Sequence, residues 1–586
     1  MFVNWIYMRL VSSVCVVAAL SLGLNGCKDG SSDIGSVTGS AMKTGYEGGN
    51  KVVRIAESSA PISIFPHKIT QSTEGLISGQ IFEGLVKVDP KTLKTIPGLA
   101  ESWDLDLTGK IITFHLRKGV RFHRSAALDF KEVELTAEDV KFTFELLCTA
   151  SNDNLHFATI CKDRIVGANE CYKNSKKGEK IDLKGIKIID NYNFSIELLN
   201  SPAIFLDILG GPFAGILSKS AYLIDKTKTI VGAGPFILDT KRTTPQQYVL
   251  YKNIDYYGKD KKGNQLPYLD SVIVDITGSA EVAWNGFRAG KYDFISSIPA
   301  NQLKQIVEEN IKDFTGKDPK YVLERNAEMI TQYYLFNTHK KPFDDVRVRQ
   351  AINYGIDREK LIERVLFGQA YGPASNGIVP PTFDFYRSST IEGYNFDLEK
   401  AKKLLAEAGY PDGKGFPEVK LIVNSGNMRN NTVAGEIQKQ LMMNLNVNLT
   451  FESLPNDTKF LLQTSGQGDI FRDGWVADYP SPESFLSVFY GEPVENDTAH
   501  ISYPNTMRFV NKEYDKYYEL GRDALSRDTA AGYFLKAEKI LIKEAPLLPL
   551  WYESNYRLLS SHLVNFYVNP LRHFDFSEVD VKEKKD

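Results

Sequence analysis

The sequence predicts a mixed α/β protein with more than one domain. Short stretches in which apolar and polar residues alternate recur along the chain, and amphipathic helical segments with recognisable caps separate them. The chain has 586 residues, of which 42% are hydrophobic and 24% are charged. This composition is typical of a globular protein, and the length exceeds that of one ordinary domain. We therefore expect two or three domains.

The first clear strand and helix follow one another. In IITFHL (111–116) apolar residues alternate with polar ones, which is the period of a half-buried strand. Thr136 then precedes an apolar stripe of helical period, and Asp139 follows it by three residues, as in a capping box. NFSIEL (193–198) predicts a further strand of the same half-buried kind.

Two more helices are predicted in the second half of the chain. Asp357 is placed to cap the first of them, and Gly368 marks its end. Asp397 and Gly409 bound the next helix in the same way. No internal repeat interrupts this alternation of strands and helices, so the pattern indicates an ordinary α/β arrangement.

The N-terminal segment predicts export and lipid anchoring. An apolar run at 10–24, preceded by Arg9, is too short to span a bilayer but has the length of a signal-peptide core. Its lack of polar positions at helical spacing disfavours the alternative of a buried N-terminal helix. The run leads to LNGC, which resembles a bacterial lipobox, so residues 1–27 are predicted to be a signal peptide that ends at a lipidated Cys27. The Gly- and Ser-rich residues 28–50 are expected to form a flexible tether.

Cysteine usage fits an exported protein. Cys148, Cys161 and Cys171 would remain in the mature chain after Cys27 carries lipid, and an odd count permits one disulfide plus one free thiol. Their spacing does not resemble a zinc site, which would need a fourth ligand nearby. We expect a structural bridge among the three, and neither a metal nor a cofactor.

Charge and motifs disfavour nucleic-acid binding and catalysis. The formal net charge is −3, and no long basic block is present. The chain contains no G-x-S-x-G, no H-E-x-x-H and no phosphate-binding G-x-x-x-x-G-K-[ST] motif. GAGPFI (232–237) lacks the third glycine of a dinucleotide fingerprint. We therefore expect a protein that is not an enzyme and that has no nucleic-acid partner.

One carboxylate is out of keeping with its surroundings. Asp478 lies within GWVADYPSPESFL (474–486), among aromatic and aliphatic residues that are suited to burial. A buried carboxylate is costly unless a cationic group meets it. Two interpretations are open, namely a carboxylate that awaits a cationic ligand and a structural residue that caps the turn before Pro480.

Several stretches, taken together, resemble one protein family. IPGLAESWDLDLTGKIITFHLRKGVRF, LTAEDVKFTFELL and FDDVRVRQAINYGIDREKLIERVLFGQAYGPASNGIVPP are similar to the extracellular solute-binding proteins, family 5, of ABC importers. This is the family of oligopeptide- and dipeptide-binding proteins. The similarity continues in order through GAGPFIL, YDFISSIP, AKKLLAEAGYPDG, GWVADYPSPESFL and KAEKILIKEAPLLPLWY, and it covers essentially all of residues 51–575.

The resemblance implies a two-lobed periplasmic-binding-protein fold, the Venus flytrap, type II-like and with an extra inserted small domain. It divides the chain into lobe I at 51–90, 183–330 and 551–586, an inserted extra domain at 91–182, and lobe II at 331–550. The chain would cross between the lobes near 332–337 and 549–556. Such proteins close on their ligand by hinge rotation.

The resemblance also gives Asp478 a partner. In oligopeptide binders the aspartate of the matching W-x-A-D-Y segment takes the α-ammonium group of the ligand, and the tryptophan, here Trp475, lines a side-chain pocket. Val476 and Tyr479 are predicted to belong to the same binding wall. Trp475 as a core residue is the open alternative.

A second expectation concerns the carboxylate of a short ligand. Arg472 matches a family arginine that helps to receive it, although pairing of Arg472 with Asp469 or Asp473 at the surface is an alternative. A second arginine expected about nine residues earlier is Gln463 in this chain. This departure leaves the preferred peptide length open.

The predicted function is that of a lipid-anchored, monomeric substrate-binding protein at the periplasm or outer cell surface. It would capture peptides in a closing cleft and deliver them to an inner-membrane ABC permease. The alternatives are a carrier of another solute in the same family, such as nickel, a sugar, haem or an opine, and an exported hydrolase or adhesin.

Overall fold

The structure is a computed structural model that describes residues 51–582, except for 152–153, 180, 201–203, 226–228, 297, 299–302, 316–318, 384, 426, 492–493 and 495–501. The predicted signal peptide, Cys27 and the tether lie outside the described residues. The described strands are β1 Val52–Glu57, β2 Val86–Val88, β3 Thr95–Pro97, β4 Ala100–Leu105, β5 Ile111–Leu116, β6 Ile186–Ile188, β7 Asn193–Glu197, β8 Phe236–Leu238, β9 Gln247–Lys252, β10 Ser271–Ile276, β11 Phe294–Ile295, β12 Tyr321–Phe336, β13 Gly372–Pro373, β14 Val419–Asn424, β15 Leu449–Leu454, β16 Ile470–Val476, β17 Leu547–Ser560, β18 Leu563–Val564 and β19 Asp580–Val581.

The helices alternate with these strands, as the sequence predicts. They are α1 Ser72–Ile81, α2 Ala137–Leu147, α3 Ala168–Lys176, α4 Phe205–Leu209, α5 Lys219–Ile224, α6 Ala280–Arg288, α7 Leu303–Glu309, α8 Ile311–Phe314, α9 Val346–Gly355, α10 Arg358–Arg364, α11 Leu398–Glu407, α12 Met428–Leu445, α13 Asn456–Thr464, α14 Glu483–Leu486, α15 Lys512–Arg522 and α16 Arg527–Glu544. Within the described ranges, none of these helices combines the length and the apolar character needed to cross a bilayer. The predicted α/β class is therefore confirmed.

The helix starts predicted from capping residues are also confirmed. Thr136 and Asp139 form a capping box at the start of α2, where the Thr136 N–H donates to the Asp139 carboxylate at 3.0 Å. Asp357 accepts the Lys360 N–H at 3.0 Å at the start of α10. Asp397 caps α11 in the same manner. Local sequence is sufficient here because each cap satisfies backbone donors within its own first turn.

The largest sheet joins two halves of the protein. Its strand order is β15-β14-β16-β12-β17-β11-β1-β10-β9-β8, with β13 beside β17. We call the half that contains β14, β15 and β16 lobe II, and the half that contains β1 and β8 to β11 lobe I. The long strands β12 and β17 pair with each other, while β12 also pairs with β16 and β17 also pairs with β11. These two strands therefore belong to both lobes.

Each lobe has its own apolar core. In lobe II, helices α9, α11 and α12 cover the sheet, and the buried side chains include Ile352 and Leu421. In lobe I, β1 and β10 are covered by α1, with Ile55 and Leu76 among the buried residues. Separate cores allow two lobes to keep their internal packing while their relative position changes.

A separate four-stranded sheet, in the order β4-β5-β7-β6, forms the inserted unit. The last strand of this sheet along the chain ends at Glu197, after the predicted boundary at 182, and the boundary itself stays a prediction. Strand β5 pairs with β4 on one side and with β7 on the other, so the sheet needs β7 to be complete. Phe114 of β5 stacks on Phe194 of β7 with ring centroids 5.3 Å apart, and both rings are fully buried.

The three cysteines of the inserted unit are free thiols, so the predicted structural bridge is not present. Cys148 and Cys161 are fully buried and hydrogen-bonded to each other, while the Cys171 thiol donates to the Asp182 carbonyl oxygen at 3.2 Å. Burial raises the pKa of the Cys161 thiol well above its ordinary value. Thiols in this environment remain protonated and behave as small apolar groups.

Two ion pairs connect lobe II to neighbouring parts of the protein, one to the inserted unit and one to helix α4. Arg164 Nη2 lies 2.5 Å from Glu483 Oε1, and Arg527 Nη2 lies 2.6 Å from Asp207 Oδ2 in α4. A continuous cluster of buried apolar residues runs from the inserted sheet to α14, α15 and α16 beside these ion pairs. The inserted unit therefore packs against lobe II as well as against lobe I.

The crossing between lobes lies inside the two long strands. The pairing of β12 with β17 is regular from Tyr321 to Ala327 and resumes after a register shift at Thr331. The predicted crossings at 332–337 and 549–556 overlap these strands. The domain boundaries drawn from them remain a prediction.

A buried carboxylate holds the two strands together at this point. Glu328 of β12 is fully buried, and its Oε1 accepts a hydrogen bond from Arg557 Nη2 of β17 at 2.7 Å. Its Oε2 accepts a second from Arg572 Nη2 at 2.6 Å. A buried carboxylate between two guanidinium groups has its charge compensated and all its lone pairs engaged.

Replacing Glu328 by Gln should destabilise the protein strongly. The substitution leaves Arg557, which is 1% exposed, without its hydrogen-bonded counter-charge, and such a loss costs about 3–5 kcal/mol. Urea unfolding followed by circular dichroism measures the change. Glu452→Gln, which breaks a surface pair with Lys420, serves as the matched control and should change stability by less than about 0.5 kcal/mol. Equal effects of the two variants would show that Glu328 does not hold the crossing.

Candidate functional site

The strand registers place the carboxyl edges of both lobes opposite each other. β16 runs antiparallel to β12 with Val476 opposite Ile330, and β11 runs antiparallel to β17 with Ile295 opposite Leu558. The ends of β16 and β11 therefore point to the crossing from opposite sides. Ligand sites in open α/β sheets form beyond the carboxyl ends of the strands. The cleft between these edges is the candidate site.

Asp478 lies on the lobe II wall of this cleft, two residues after β16. Its backbone N–H donates to Ser484 Oγ at 2.9 Å, and the side chain is half-buried. None of the described residues donates a hydrogen bond to its carboxylate or forms an ion pair with it. Burial raises the pKa of this carboxyl to about 7, because no cation compensates the charge. Within the described part of the chain no backbone N–H donates to this carboxylate, so the turn-capping interpretation finds no support there.

Of the residues next to Asp478, some are partly exposed at the cleft and one is buried in the core. Trp475 is half-buried, and its indole N–H donates to the same Ser484 Oγ at 3.3 Å. Val476 ends β16 and is 37% exposed. Tyr479 is 2% exposed, and its hydroxyl donates to Glu483 Oε2 at 2.9 Å inside the protein. Tyr479 therefore packs in the core behind the wall, and its position does not suit contact with a ligand.

Arg472 lies in the middle of β16 and reaches toward the carboxyl end of β14. Its Nη2 donates to Gln332 Oε1 at 2.5 Å, and its Nη1 lies 3.4 Å from Asn424 Oδ1. It forms no ion pair with any described carboxylate. Asp469 binds Lys340, and Asp473 accepts the side-chain amide of Gln463, so neither residue pairs with Arg472.

The structure adds Lys459, a cation that the sequence analysis missed. Lys459 is 5% exposed in the first turn of α13, and its Nζ donates to Gln463 Oε1 at 2.6 Å. Burial lowers its pKa, the nearby Asp473 opposes that shift and Arg472 adds to it. Gln463, which stands where an arginine was expected, thus holds the ammonium group of a residue one turn earlier. The four-residue spacing was the only signal in the sequence.

An aromatic pair also lies near Asp478, and the sequence analysis missed it as well. Tyr503 is 57% exposed and Phe460 is 49% exposed, with ring centroids 5.7 Å apart and edge-on geometry. Burial of the hydroxyl, and then the carboxylates of Asp478 and Asp473, raise the pKa of Tyr503. Tyr503 is therefore an exposed aromatic residue within electrostatic range of Asp478 and Asp473.

The opposite wall of the cleft carries a second carboxyl group. Glu57 ends β1 in lobe I, and its half-buried side chain is hydrogen-bonded to Ser296. Burial raises the pKa of Glu57 to about 7, while the guanidinium groups of Arg572 and Arg557 oppose this shift. No sequence motif pointed to this residue, because its place opposite lobe II depends on the sheet order.

The charges of the lobe II wall suit a ligand that carries both signs. Asp478 is one unpaired negative group. Arg472 and Lys459 are two positive groups, and Asp473 is a negative group near Lys459. A ligand that brings a cation to Asp478 and an anion to Arg472 and Lys459 would neutralise both.

Comparison with known proteins places the chain among transport proteins. A sequence model described as bacterial extracellular solute-binding proteins, family 5 middle, matches residues 94–497. Heme-binding protein A of Haemophilus influenzae is 28% identical over 586 residues, which is 98% of this chain and 100% of that protein. The periplasmic oligopeptide-binding protein OppA of Escherichia coli is 29% identical over 513 residues, which is 85% of this chain and 86% of that protein.

Solved structures share the fold. The ABC transporter-associated periplasmic binding protein DppA of Helicobacter pylori, in complex with the peptide STSA, superposes with a TM-score of 0.75 at 25% identity. The match covers 91% of this chain and 98% of that chain. It confirms the predicted two-lobed periplasmic-binding-protein fold.

The unpaired Asp478 predicts that Asp478→Asn stabilises the protein without ligand at pH 8. The carboxyl has a pKa of about 7 when folded against an ordinary 3.8, so its ionisation opposes folding as the pH rises through this window. The gain from the Asn variant should be roughly 1–4 kcal/mol above pH 7 and should vanish below about pH 4, where the carboxyl is protonated in both states.

Urea unfolding at pH 8 and at pH 4 measures this difference. An Asn variant that is less stable than the wild type at pH 8 would mean that the carboxylate has a stabilising partner in the folded protein. That result would remove Asp478 from the candidate site.

Proposed function

The chain belongs to the bacterial extracellular solute-binding proteins, family 5, and from this premise we propose that it captures peptides and delivers them to the permease of an ABC importer. The observation that carries the proposal is the carboxylate of Asp478, which stands unpaired in the cleft. A fixed carboxylate in a site with little water binds a compact cation such as an ammonium group. Every peptide offers such a group at a fixed position relative to its backbone.

The second end of a short peptide has a matching site on the same wall. Arg472 has only neutral hydrogen-bond partners among the described residues, and Lys459 has only Gln463. A ligand carboxylate would supply an anion to Arg472. Such capture depends on the charged ends of the peptide, so it tolerates different side chains between them.

The family includes carriers of other solutes, and haem is the candidate that a comparison favours. Heme-binding protein A of Haemophilus influenzae aligns with 98% of this chain. Haem presents two carboxylates and no ammonium group, so it leaves Asp478 without a partner. The chemistry of Asp478 therefore favours a peptide over haem.

The proposal does not include catalysis. The relatives are solute-binding proteins, and the charged residues of the cleft can hold and orient a ligand by the contacts described above. Each of them is placed for binding: Asp478 for a cation, and Arg472 with Lys459 for an anion.

The proposal places the protein at the outer face of a membrane. The lipobox at Cys27 would give the mature chain an N-terminal lipid anchor, and residues 28–50 would act as a tether to the folded part. The protein would then work as an anchored monomer at the periplasm or the outer cell surface, close to its permease.

Asp478→Asn should weaken binding of a peptide with a free N-terminus, such as Ala-Ala-Ala. The variant keeps the shape of the side chain but leaves the ligand ammonium without its counter-charge. Loss of one partner of such a pair costs roughly 2–5 kcal/mol, or about thirtyfold to several-thousandfold in affinity. Isothermal titration calorimetry measures the change. Asp129→Asn, an exposed aspartate of the inserted unit, is the matched control and should leave the affinity unchanged.

N-acetylation of the same peptide should give the decisive comparison. Acetylation removes the ammonium charge, so it should weaken binding to the wild type far more than binding to the Asn variant. Equal penalties in both proteins would show that Asp478 does not meet the ammonium group. Tight binding of haem but of no peptide would replace the proposed ligand.

Cys27→Ser should abolish lipid attachment. The wild type should give a mature chain that begins at Cys27 and carries acyl chains, whereas the variant should remain an unprocessed precursor without acyl chains. Each buried CH₂ of an acyl chain contributes about 0.8 kcal/mol to membrane binding, so several chains anchor the protein firmly. Intact-mass spectrometry of the two proteins decides the matter. A wild type that retains residues 1–26 would contradict the proposed anchor.

A further inference from the structure

Two aromatic side chains on lobe II, Phe460 and Tyr503, are exposed and in contact with each other. Phe460 of α13 is 49% exposed and Tyr503 is 57% exposed, and their rings meet edge-on at 5.7 Å. Leu461 beside them is 62% exposed. A contiguous exposed apolar patch of this kind marks a surface that meets a ligand or a partner.

The segment that carries Tyr503 is held firmly against α13. The Ser502 N–H donates to the Thr464 carbonyl oxygen at 2.9 Å, at the end of that helix. Gln463 Nε2 donates to Thr506 Oγ1 at 3.0 Å. The two rings are therefore positioned by hydrogen bonds on both sides of Tyr503, and their exposure is a fixed feature of this wall.

The same hydrogen bonds bring the pair to the binding wall. Gln463 Nε2 also donates to Asp473 Oδ2 of β16 at 2.6 Å, and β16 leads within two residues to Asp478. The Tyr503 hydroxyl lies within electrostatic range of both Asp473 and Asp478. The aromatic pair thus stands beside the carboxylate to which the ligand ammonium is assigned.

We propose that Phe460 and Tyr503 form an aromatic ledge that receives the first side chain of the peptide, so that the site prefers ligands with a large apolar or aromatic N-terminal residue. This inference rests on the proposed function, because Asp478 must first hold the ammonium group. The side chain of the first residue branches from the carbon that bears that ammonium. Once Asp478 holds the ammonium, that side chain would lie on the same wall as the ledge.

The chemistry of the ledge selects among first residues. Aromatic rings offer apolar faces to aliphatic and aromatic side chains, and edge-on or offset ring pairs contribute beyond simple burial of area. A small side chain such as that of alanine would leave both rings in water. The ledge therefore discriminates by contact area at the first position, while the charged groups recognise the backbone ends.

The test compares three peptides that differ only at the first residue: Phe-Ala-Ala, Leu-Ala-Ala and Ala-Ala-Ala. Calorimetry on the wild type should show that the first two bind about three- to tenfold more tightly than the third. Tyr503→Ala and Phe460→Ala should each remove most of this preference while changing the affinity for Ala-Ala-Ala less than about twofold. Tyr503→Phe keeps the ring and should retain the preference. It shows that a loss of preference in Tyr503→Ala comes from the missing ring and not from a change at this position in general.

Two controls separate this inference from the proposed function. Phe396→Ala removes an exposed aromatic ring elsewhere on lobe II, beside Lys360, and should leave all three affinities unchanged. Asp478→Asn should weaken all three peptides by a similar factor and leave their order intact. If the peptides bind but the preference survives in Tyr503→Ala and Phe460→Ala, the ledge is wrong and the proposed function stands. If no peptide binds the wild type, the proposed function fails and the ledge fails with it.

Discussion

Glu328 and its two arginines fix the geometry on which the cleft depends. This carboxylate joins β12 to β17 at the point where both strands pass between the lobes. The next residue, Met329, donates its N–H to the Pro570 carbonyl at 2.9 Å and accepts the Ala477 N–H on its own carbonyl at 2.8 Å. Ala477 directly precedes Asp478. The buried triad of Glu328, Arg557 and Arg572 is therefore connected to the segment of Asp478 through Met329. The Met329 carbonyl, which accepts the Ala477 N–H, makes this connection.

This arrangement explains how a carboxylate can stand unpaired in a protein that folds. Isolated charges are expensive to bury, and a folded chain tolerates only a few of them. The Glu328 carboxylate is compensated by two guanidinium groups, so it supports a rigid crossing. Asp478 is linked to Glu328 through Met329 and Ala477. Its uncompensated charge lowers the stability of the folded protein. A binding site commonly accepts lower stability for function, because a group that was satisfied within the protein would have nothing left to offer a ligand.

The sequence predicted those features that depend on neighbouring residues. Caps at Thr136, Asp357 and Asp397 could be predicted because each cap acts within one helical turn, and the resemblance supplied the two-lobed fold. Lys459 and Tyr503 could not be predicted, because their places beside Asp473 and Asp478 depend on how α13 and a distant loop pack on β16.

Failed expectations have the same physical origin. Tyr479 follows Asp478 directly, but its side chain points into the core, where Glu483 accepts its hydroxyl. The sheet of the inserted unit includes β6 and β7, which follow a long intervening segment, and local sequence gives no sign of this pairing. The disulfide was inferred from a cysteine count, and a count carries no information on what each thiol contacts in the fold.

The core behind the binding wall links ligand capture to the inserted unit. Glu483 accepts the Tyr479 hydroxyl and pairs with Arg164 of the inserted unit, while the next residue, Ser484, accepts the Asp478 N–H. The short helix α14 therefore bonds the ligand-binding wall on one side and the inserted unit on the other. Opening the cleft by moving lobe II away from the inserted unit would break the buried pair between Arg164 and Glu483, which is costly because it strands two charges. The segment that carries Asp478 and the contact with the inserted unit therefore depend on the same short helix.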